Sequence, residues 1–409
     1  MNYNRAFAGT FLFFLVLAGM IESLSENVNY AQVNDCERVI DGLHDDFNFS
    51  TSQLVFMHTS SNDQPEYVVE FSPANERFYI DNGYVEDIAI SPNGLSIARI
   101  QILQDALEVR AEIIIGLPEH DNQISYEIYA SNNIYPLTLQ WLDDAMLLLS
   151  YVSATQPPEY YYFSIFDITT GEISYVHPFA TRELDSSLFP SQPLYPEGMI
   201  TGHPPPRLSP NGRYIYYTVF PISTPNTNEY SRYIFDVEQG IQLPTENIPE
   251  ISDVDVVWSS DSEYVYGVVS IESSQSIVQY NVGEDRVEQI FNTDLLNLSI
   301  SSSQTSGIFL PTYTTPENYL AFQIMGNSQN EGVKLLDLTT NSVQNTCIKV
   351  ENRAAFWSQN GRYLAIYGML NNSIEDYSNG IYVFDTQTED IFQIYEGEAV
   401  IVGWAQNPQ

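Results

Sequence analysis

"SPNGRYIYYTVF" occupies residues 209–220, and "SQNGRYLAIYGM" repeats it at 358–369. A third copy, "SPNGLSIARI", stands at 91–100. In S-P-N-G the proline presets φ at the second turn position, the asparagine tolerates the third, and the glycine supplies positive φ for a bulged hairpin exit. The residues after the turn alternate or run apolar (Tyr214, Ile215, Tyr216, Tyr217, Val219), as a strand packed on both faces should. Strand-like residues also precede the turn, in "VVWSSDS" at 256–262 and "AAFWSQNG" at 354–361. The unit therefore opens strand, tight turn, strand.

A second signature trails the first. "IFDITTGEI" at 165–173, "IFDVEQGIQ" at 234–242, "LLDLTTNSV" at 335–343 and "VFDTQTEDI" at 383–391 share apolar–Asp–apolar, a polar turn and another apolar strand. "QYNVGEDRV" at 279–287 is the same with Asn281 in place of Asp. The Asp ends a strand and can accept hydrogen bonds from turn amides ahead of it. Ser209 to Asp236 and Ser358 to Asp385 are both 27 residues, so the unit has four strands, with the Asp closing the third.

Turn copies begin at Ser91, Leu142, Ser209, Ser259, Thr314 and Ser358, in steps of 51, 67, 50, 55 and 44 residues. Four-stranded repeats of about 40–50 residues are the signature of propeller blades. "VIVGWAQNPQ" at 400–409 looks like a first strand alone, while "QLVFMHT", "EYVVEFSPANE" and "RFYID" near the N-terminus look like strands two to four without a first. Pairing Val400–Trp404 with Leu54–Met57 would complete a further blade and close the ring, removing its exposed sheet edges. The chain is thus read as an all-β, seven-bladed propeller over 49–409, six or eight blades being the alternatives. Residues 1–25 are read as a signal peptide or anchor and 26–48 as an N-terminal extension.

The run "WS-x-[DN]-G-R-Y" and its trailing apolar–Tyr–apolar–Phe-Asp resemble the TolB-like (PD-type) propeller repeat. That repeat also builds the non-catalytic propeller of prolyl oligopeptidase and dipeptidyl-peptidase IV proteins. The resemblance covers about residues 50–405 and rests on turn and core positions, so it speaks to fold more than to function. Several blades depart from it: Leu142 replaces the Ser, Gly116 sits where Asp is expected, and the Thr314 copy lacks the turn Gly. WD-repeat proteins match less well, because the Gly-His and Trp-Asp pairs are missing. The resemblance implies ligand recognition at blade-connecting loops and the central funnel, where similar proteins bind proteins, peptides or glycans.

The formal charge of −39, from 53 acids against 14 bases, disfavours nucleic acid and anionic lipid as partners; it serves solubility first and would also attract cations or basic proteins. One Arg precedes an apolar run from Ala6 to Ile21, which has signal-peptide size; an uncleaved anchor is the alternative. Met20 stands where a lipoprotein box would need its Cys. The protein is therefore expected to be exported (secreted, periplasmic or at the cell surface) with no membrane insertion after that segment. The two cysteines, Cys36 and Cys347, are expected to form a disulfide in an exported chain, separate buried thiols being the alternative.

Catalytic spacings are absent: no G-x-S-x-G elbow, no H-E-x-x-H and no phosphate loop. The histidines His44, His58, His120, His177 and His203 are scattered and read as solvated loop residues. Asp143 and Asp144 occupy a blade turn, where Asp serves the turn itself. "DGLHDD" at 41–46 offers oxygen ligands without Ca²⁺-loop spacing. No catalytic residue, metal or cofactor is assigned. The repeat breaks most strongly at "HPFATRELDSSLFPSQPLYPEGMITGHPPPR", where Phe189, Tyr195 and Met199 among prolines could form an apolar lip for a ligand or a tether between blades. The expected function is a monomeric, non-catalytic binding propeller for a protein or peptide. A funnel enzyme of lyase or glycosidase type and a structural envelope component are the rivals.

Overall fold

A computed structural model describes residues 39–406 apart from 44–48, 50–51, 60–66, 73–75, 81–83, 95, 106–107, 116–123, 129–133, 154–159, 176–198, 201–206, 221–230, 244–246, 249–250, 272–273, 293–306, 313, 326–331 and 371–378. The described residues form strands and turns, with no helix, in seven sheets that are the blades of one ring. Naming the strands of each blade a to d from the axis outward, blade 1 is Ala399–Gln406, Ser52–Thr59, Tyr67–Ser72 and Glu76–Ile80. Its two ends of the chain meet in the anticipated register, with Leu54 opposite Trp404 and Met57 opposite Val400. Blades 2 and 3 run from Tyr84 to Ile128 and from Ile134 to Tyr175. Blades 4 and 5 run from Met199 to Gln242 and from Ile251 to Asn292. Blade 6 spans Gly307 to Asn345, and blade 7 spans Ile348 to Glu396.

The double-sided apolar strands explain why the blades stack. In strand c of blade 7, Ile381 and Val383 join the core shared with blade 1, while Tyr382 and Phe384 join the core shared with blade 6. A period of two with both faces apolar buries one face at each seam. Every seam has such a core; the one between blades 4 and 5 is centred on the fully buried Trp258, Tyr216 and Tyr280.

Three details depart from the expected unit. Part of the N-terminal extension, Val39–Leu43, is a fifth strand of blade 7, parallel to its outer strand Ile391–Glu396. Strand a of blade 4 comes in two pieces: Met199–Ile200 pairs with Phe220 and Val219, and Arg207–Leu208 pairs with Tyr216 and Ile215. In blade 6, Gly307–Phe309 pairs with its own strand b, but Thr314–Thr315 pairs in parallel with Trp258–Ser259 of blade 5.

Candidate functional site: the axial channel

The S-P-N-G turns do what their sequence requires. Ser209 Oγ donates to Asn211 Oδ1 at 2.7 Å and accepts the Tyr214 amide at 2.8 Å; Ser358 repeats this with Asn360 and Tyr363. Asp236 Oδ1 accepts the Gln239 amide at 2.9 Å, and Asp167 and Asp337 do the same for Thr169 and Thr339. Sequence reasoning missed the second half of this device. Arg213 donates through Nε and Nη2 to Asp236 at 3.0 and 2.8 Å, and Arg362 grips Asp385 in the same way. Burial pushes the Asp385 carboxyl up, but the Arg362 hydrogen bonds and the turn amides outweigh it and hold the group below its ordinary value. The signal was present: both "NGR" copies place Arg 23 residues before the Asp, whereas the copy at Ser91 has Leu95 and loses the Asp to Gly116.

The turns crowd round the axis and hold one another. The Asn93 amide donates to Asp144 at 3.0 Å and the Asn211 amide to Ser262 at 3.0 Å, each across a seam. Asp143 meanwhile accepts the Ala145 and Met146 amides of its own turn, so both acids serve turns. Blade 1 has no covalent a–b turn, because its strand a ends the ring. A clasp replaces it: Gln359 Nε2 reaches the Pro92 carbonyl at 2.8 Å, and Gln406 bonds both Gln359 and the Gly94 carbonyl. Gly94 has φ +70°, and a Cβ there would lie 2.3 Å from the Gln406 nitrogen, so the clasp needs glycine twice over.

Inside these turns lies an axial cavity of about 1030 Å³. Its wall is made by inner strands, which apart from Trp258–Ser259 have no paired strand toward the axis among the described residues and need other partners for their backbone groups. Side chains from the adjacent blade supply some: Asp87 accepts the Leu139 amide at 2.8 Å and Gln140 accepts the Leu208 amide at 3.1 Å. Tryptophans supply others, Trp141 donating to the Ala89 carbonyl, Trp258 to Arg207 and Trp404 to Phe356. The wall is mixed in chemistry. Blades 1 and 2 present Val400, which is 56% exposed, with half-buried Ile88 and Ile90. Blades 5 to 7 present Ser260, Thr314, Asn318, Gln359 and Asn360 together with half-buried Phe356, Trp357 and Tyr367.

Of the sequence-predicted candidates, Phe189 and Tyr195 lie outside the described residues. Met199, expected in a loop, has its backbone in strand a of blade 4 opposite Phe220, because the strand begins before the insertion ends. His58 is corrected as well. It stands on a strand, half-buried, with Nε2 at 3.5 Å from buried Glu70 and its ring stacked on Tyr395 at 5.1 Å. The other histidines fall outside the described residues. Cys347 is buried between blades 6 and 7 and is not a free thiol; Cys36 lies outside the described residues. Among the described residues, no three His, Cys, Asp or Glu side chains gather as metal ligands, and no helix is long and apolar enough to cross a membrane.

Arg99, Arg207 and Lys334 are each only 7% exposed, and the acids Glu70, Asp236 and Asp385 are buried too, so burial leaves the acidic balance of the described surface unchanged. Burial pushes the Lys334 ammonium down to about 8.

The chain matches no protein-family profile and no curated protein. Among solved structures it is similar to TolB from Acinetobacter baumannii, at 13% identity over 85% of this chain and 81% of that one, TM-score 0.44. It is similar to a putative 6-phosphogluconolactonase from Bacteroides uniformis at 12% identity, over 87% and 99% of the two chains, TM-score 0.47. A puromycin hydrolase mutant complexed with PGG gives TM-score 0.55 at 10% identity, over 84% of this chain and 52% of the hydrolase. The likeness to the hydrolase shows the propeller fold alone.

Proposed function

We propose that this chain is an exported, TolB-like propeller that acts as a non-catalytic scaffold for protein or peptide segments, with the axial channel as its binding site. The observation that carries the reading is the exposed aliphatic surface on the channel wall. Val400, Ile88 and Ile90 offer an aliphatic side chain a surface to cover, and half-buried Phe356, Trp357 and Tyr367 add apolar area. The exposed hydroxyls and amide of Ser260, Thr314 and Asn318 suit the polar backbone that such a side chain brings with it. The acidic exterior would draw basic segments toward the channel mouth.

The test is panning of a phage-displayed random peptide library on the full protein and on Val400→Glu. Enriched peptides should carry an aliphatic residue and lose roughly tenfold or more in affinity for the variant, since a carboxylate would face the aliphatic contact. Peptides that bind both proteins equally would move the site away from the channel. Replacing 183–197 with a Gly-Ser linker, which spares the paired Met199, then asks whether Phe189 and Tyr195 contribute. Export is tested by N-terminal sequencing of the mature protein, which should begin after the apolar segment. Non-reducing peptide mapping tests the Cys36–Cys347 bridge.

A further inference from the structure

Arg99 is a buried cation in an aliphatic seam. It is 7% exposed, its Nε is wholly buried without an acceptor, and its guanidinium makes no hydrogen bond or ion pair among the described residues. Burial lowers its proton affinity, and no carboxylate stands close enough to oppose that. A chain of 53 acids against 14 bases has carboxylates to spare for such a group, yet its neighbours in blade 2 are spent elsewhere. Glu112, opposite Gln101 on the next strand, accepts Ser125 Oγ at 2.9 Å. Asp87 turns to blade 3 and accepts the Leu139 amide at 2.8 Å.

The period of two fixes which way the side chain goes. Ala98 and Ile100 join the core shared with blade 3, and Ile97 joins the core shared with blade 1, so Arg99 faces blade 1. Its cross-strand partner is Ile88, which packs in that same seam and lines the channel. Arg99 therefore stands one strand behind the channel wall, with a side chain longer than the roughly 4.8 Å between paired strands. Across the seam, Val402 belongs to the same core, and Val400 shares its face because Ala399 and Ile401 turn to blade 7. Val400 is 56% exposed, so the seam opens to the channel beside it.

We propose that Arg99 anchors a carboxylate, namely the C-terminal carboxylate of a peptide whose last side chain is aliphatic and covers Val400 and Ile88. A buried guanidinium without a counter-ion is unfavourable until an anion arrives, and its planar fork matches the two oxygens of a carboxylate. A phosphate dianion asks for more donors than one guanidinium offers. The terminal carboxylate and the last side chain branch from one Cα, so charge and aliphatic surface are met together at the seam between blades 1 and 2. Basic residues further back along the peptide offset the repulsion between the acidic exterior and its carboxylate. The inference rests on the channel reading above and narrows it to peptide ends.

The experiment pans random peptides displayed with free C-termini on the full protein and on Arg99→Gln. Enriched peptides should end in Val, Leu or Ile. By isothermal titration calorimetry their synthetic free acids should bind the parent roughly tenfold or more tighter than the matching C-terminal amides. Arg99→Gln should bind acid and amide alike while melting no lower than the parent, because it removes a buried charge. Equal binding of acid and amide to the parent, or enriched peptides with no shared last residue, would overturn the carboxylate anchor, whether or not the variant folds. The channel reading would survive that result if Val400→Thr weakened the same peptides. Peptides indifferent to Val400→Thr, or no enrichment at all, would overturn both.

Discussion

Trp258→Phe set against Trp357→Phe isolates one hydrogen bond. The two indoles hold the same place in their blades and stack on equivalent tyrosines, a contact a phenyl ring keeps in both. The smaller ring costs about 1 kcal/mol of packing at fully buried Trp258 and less at half-buried Trp357. In Trp258→Phe the Arg207 carbonyl also loses its donor at 3.1 Å in a fully buried setting, which adds about 1–3 kcal/mol. In Trp357→Phe the lost N–H has no acceptor among the described residues, so removing it offsets part of the packing loss and leaves about 0–1 kcal/mol. Urea unfolding monitored by far-UV circular dichroism, analysed by linear extrapolation, measures both against the parent. Trp258→Phe should be the weaker protein by about 1–4 kcal/mol at unchanged m. Equal losses, or a larger loss in Trp357→Phe, would refute the assignment of the shared tryptophan position as a seam hydrogen bond.

Asp385→Asn should cost about 1–3 kcal/mol at pH 7, because the Arg362 grip is a charge-assisted bond to a buried carboxylate. The folded value is depressed, so this stability is present above the unfolded value of about 3.9 and lost as pH falls through the folded one; the parent and variant should therefore converge in acid titrations of melting temperature. Gly94→Ala should destabilise by about 1 kcal/mol or more, through positive φ and the close Gln406 nitrogen, and limited proteolysis should then release the C-terminal strand first. Lys334→Met should stabilise at pH 7 by about 1–3 kcal/mol, since it removes a buried ammonium that has no ion pair among the described residues. The Lys334 folded value, near 8, lies below the ordinary lysine value of about 10.4, so the parent should gain stability as pH rises between the two while the variant does not.

Most of the ring was legible because its signals are local and repeated. The turn at Ser209 and Ser358 and the Asp at 236 and 385 recur at fixed distance, and the strands between them are apolar on both faces. Even the closure register was readable, since Trp404 and Trp357 align by their own turns. The departures were hidden where the pattern is too short to have a period. Val39–Leu43 reads "VIDGL", with Asp and Gly in the middle, and pairs in parallel at an outer edge that asks little of its side chains. The two-residue pieces Met199–Ile200 and Arg207–Leu208 carry no alternation at all. His58 looked like a loop residue because its partners, Glu70 and Tyr395, come from other strands and are distant in sequence.

The channel was illegible for a different reason: the residues that made the fold readable are those least free to bind. Ser209 and Ser358 spend their hydroxyls on Asn211 and Tyr214, or on Asn360 and Tyr363, and the asparagines in turn accept the Arg213 and Arg362 amides. Asp87 and Gln140 are committed to the backbone of the next blade, and Gln359 to the clasp at blade 1. Discrimination among ligands therefore falls to wall residues that the repeat does not need. Val400 is the clearest of these. It faces open space from the strand that closes the ring, whereas its neighbours Ala399 and Ile401 are buried in the seam with blade 7. An alternating strand with an aliphatic residue on its solvent face gains nothing for folding by keeping it there, because a polar residue would be hydrated at no packing cost. Val400→Thr should accordingly leave unfolding unchanged while weakening channel binding. A clear loss of stability in that variant would make the valine a core residue and remove the strongest support for the channel as a binding site.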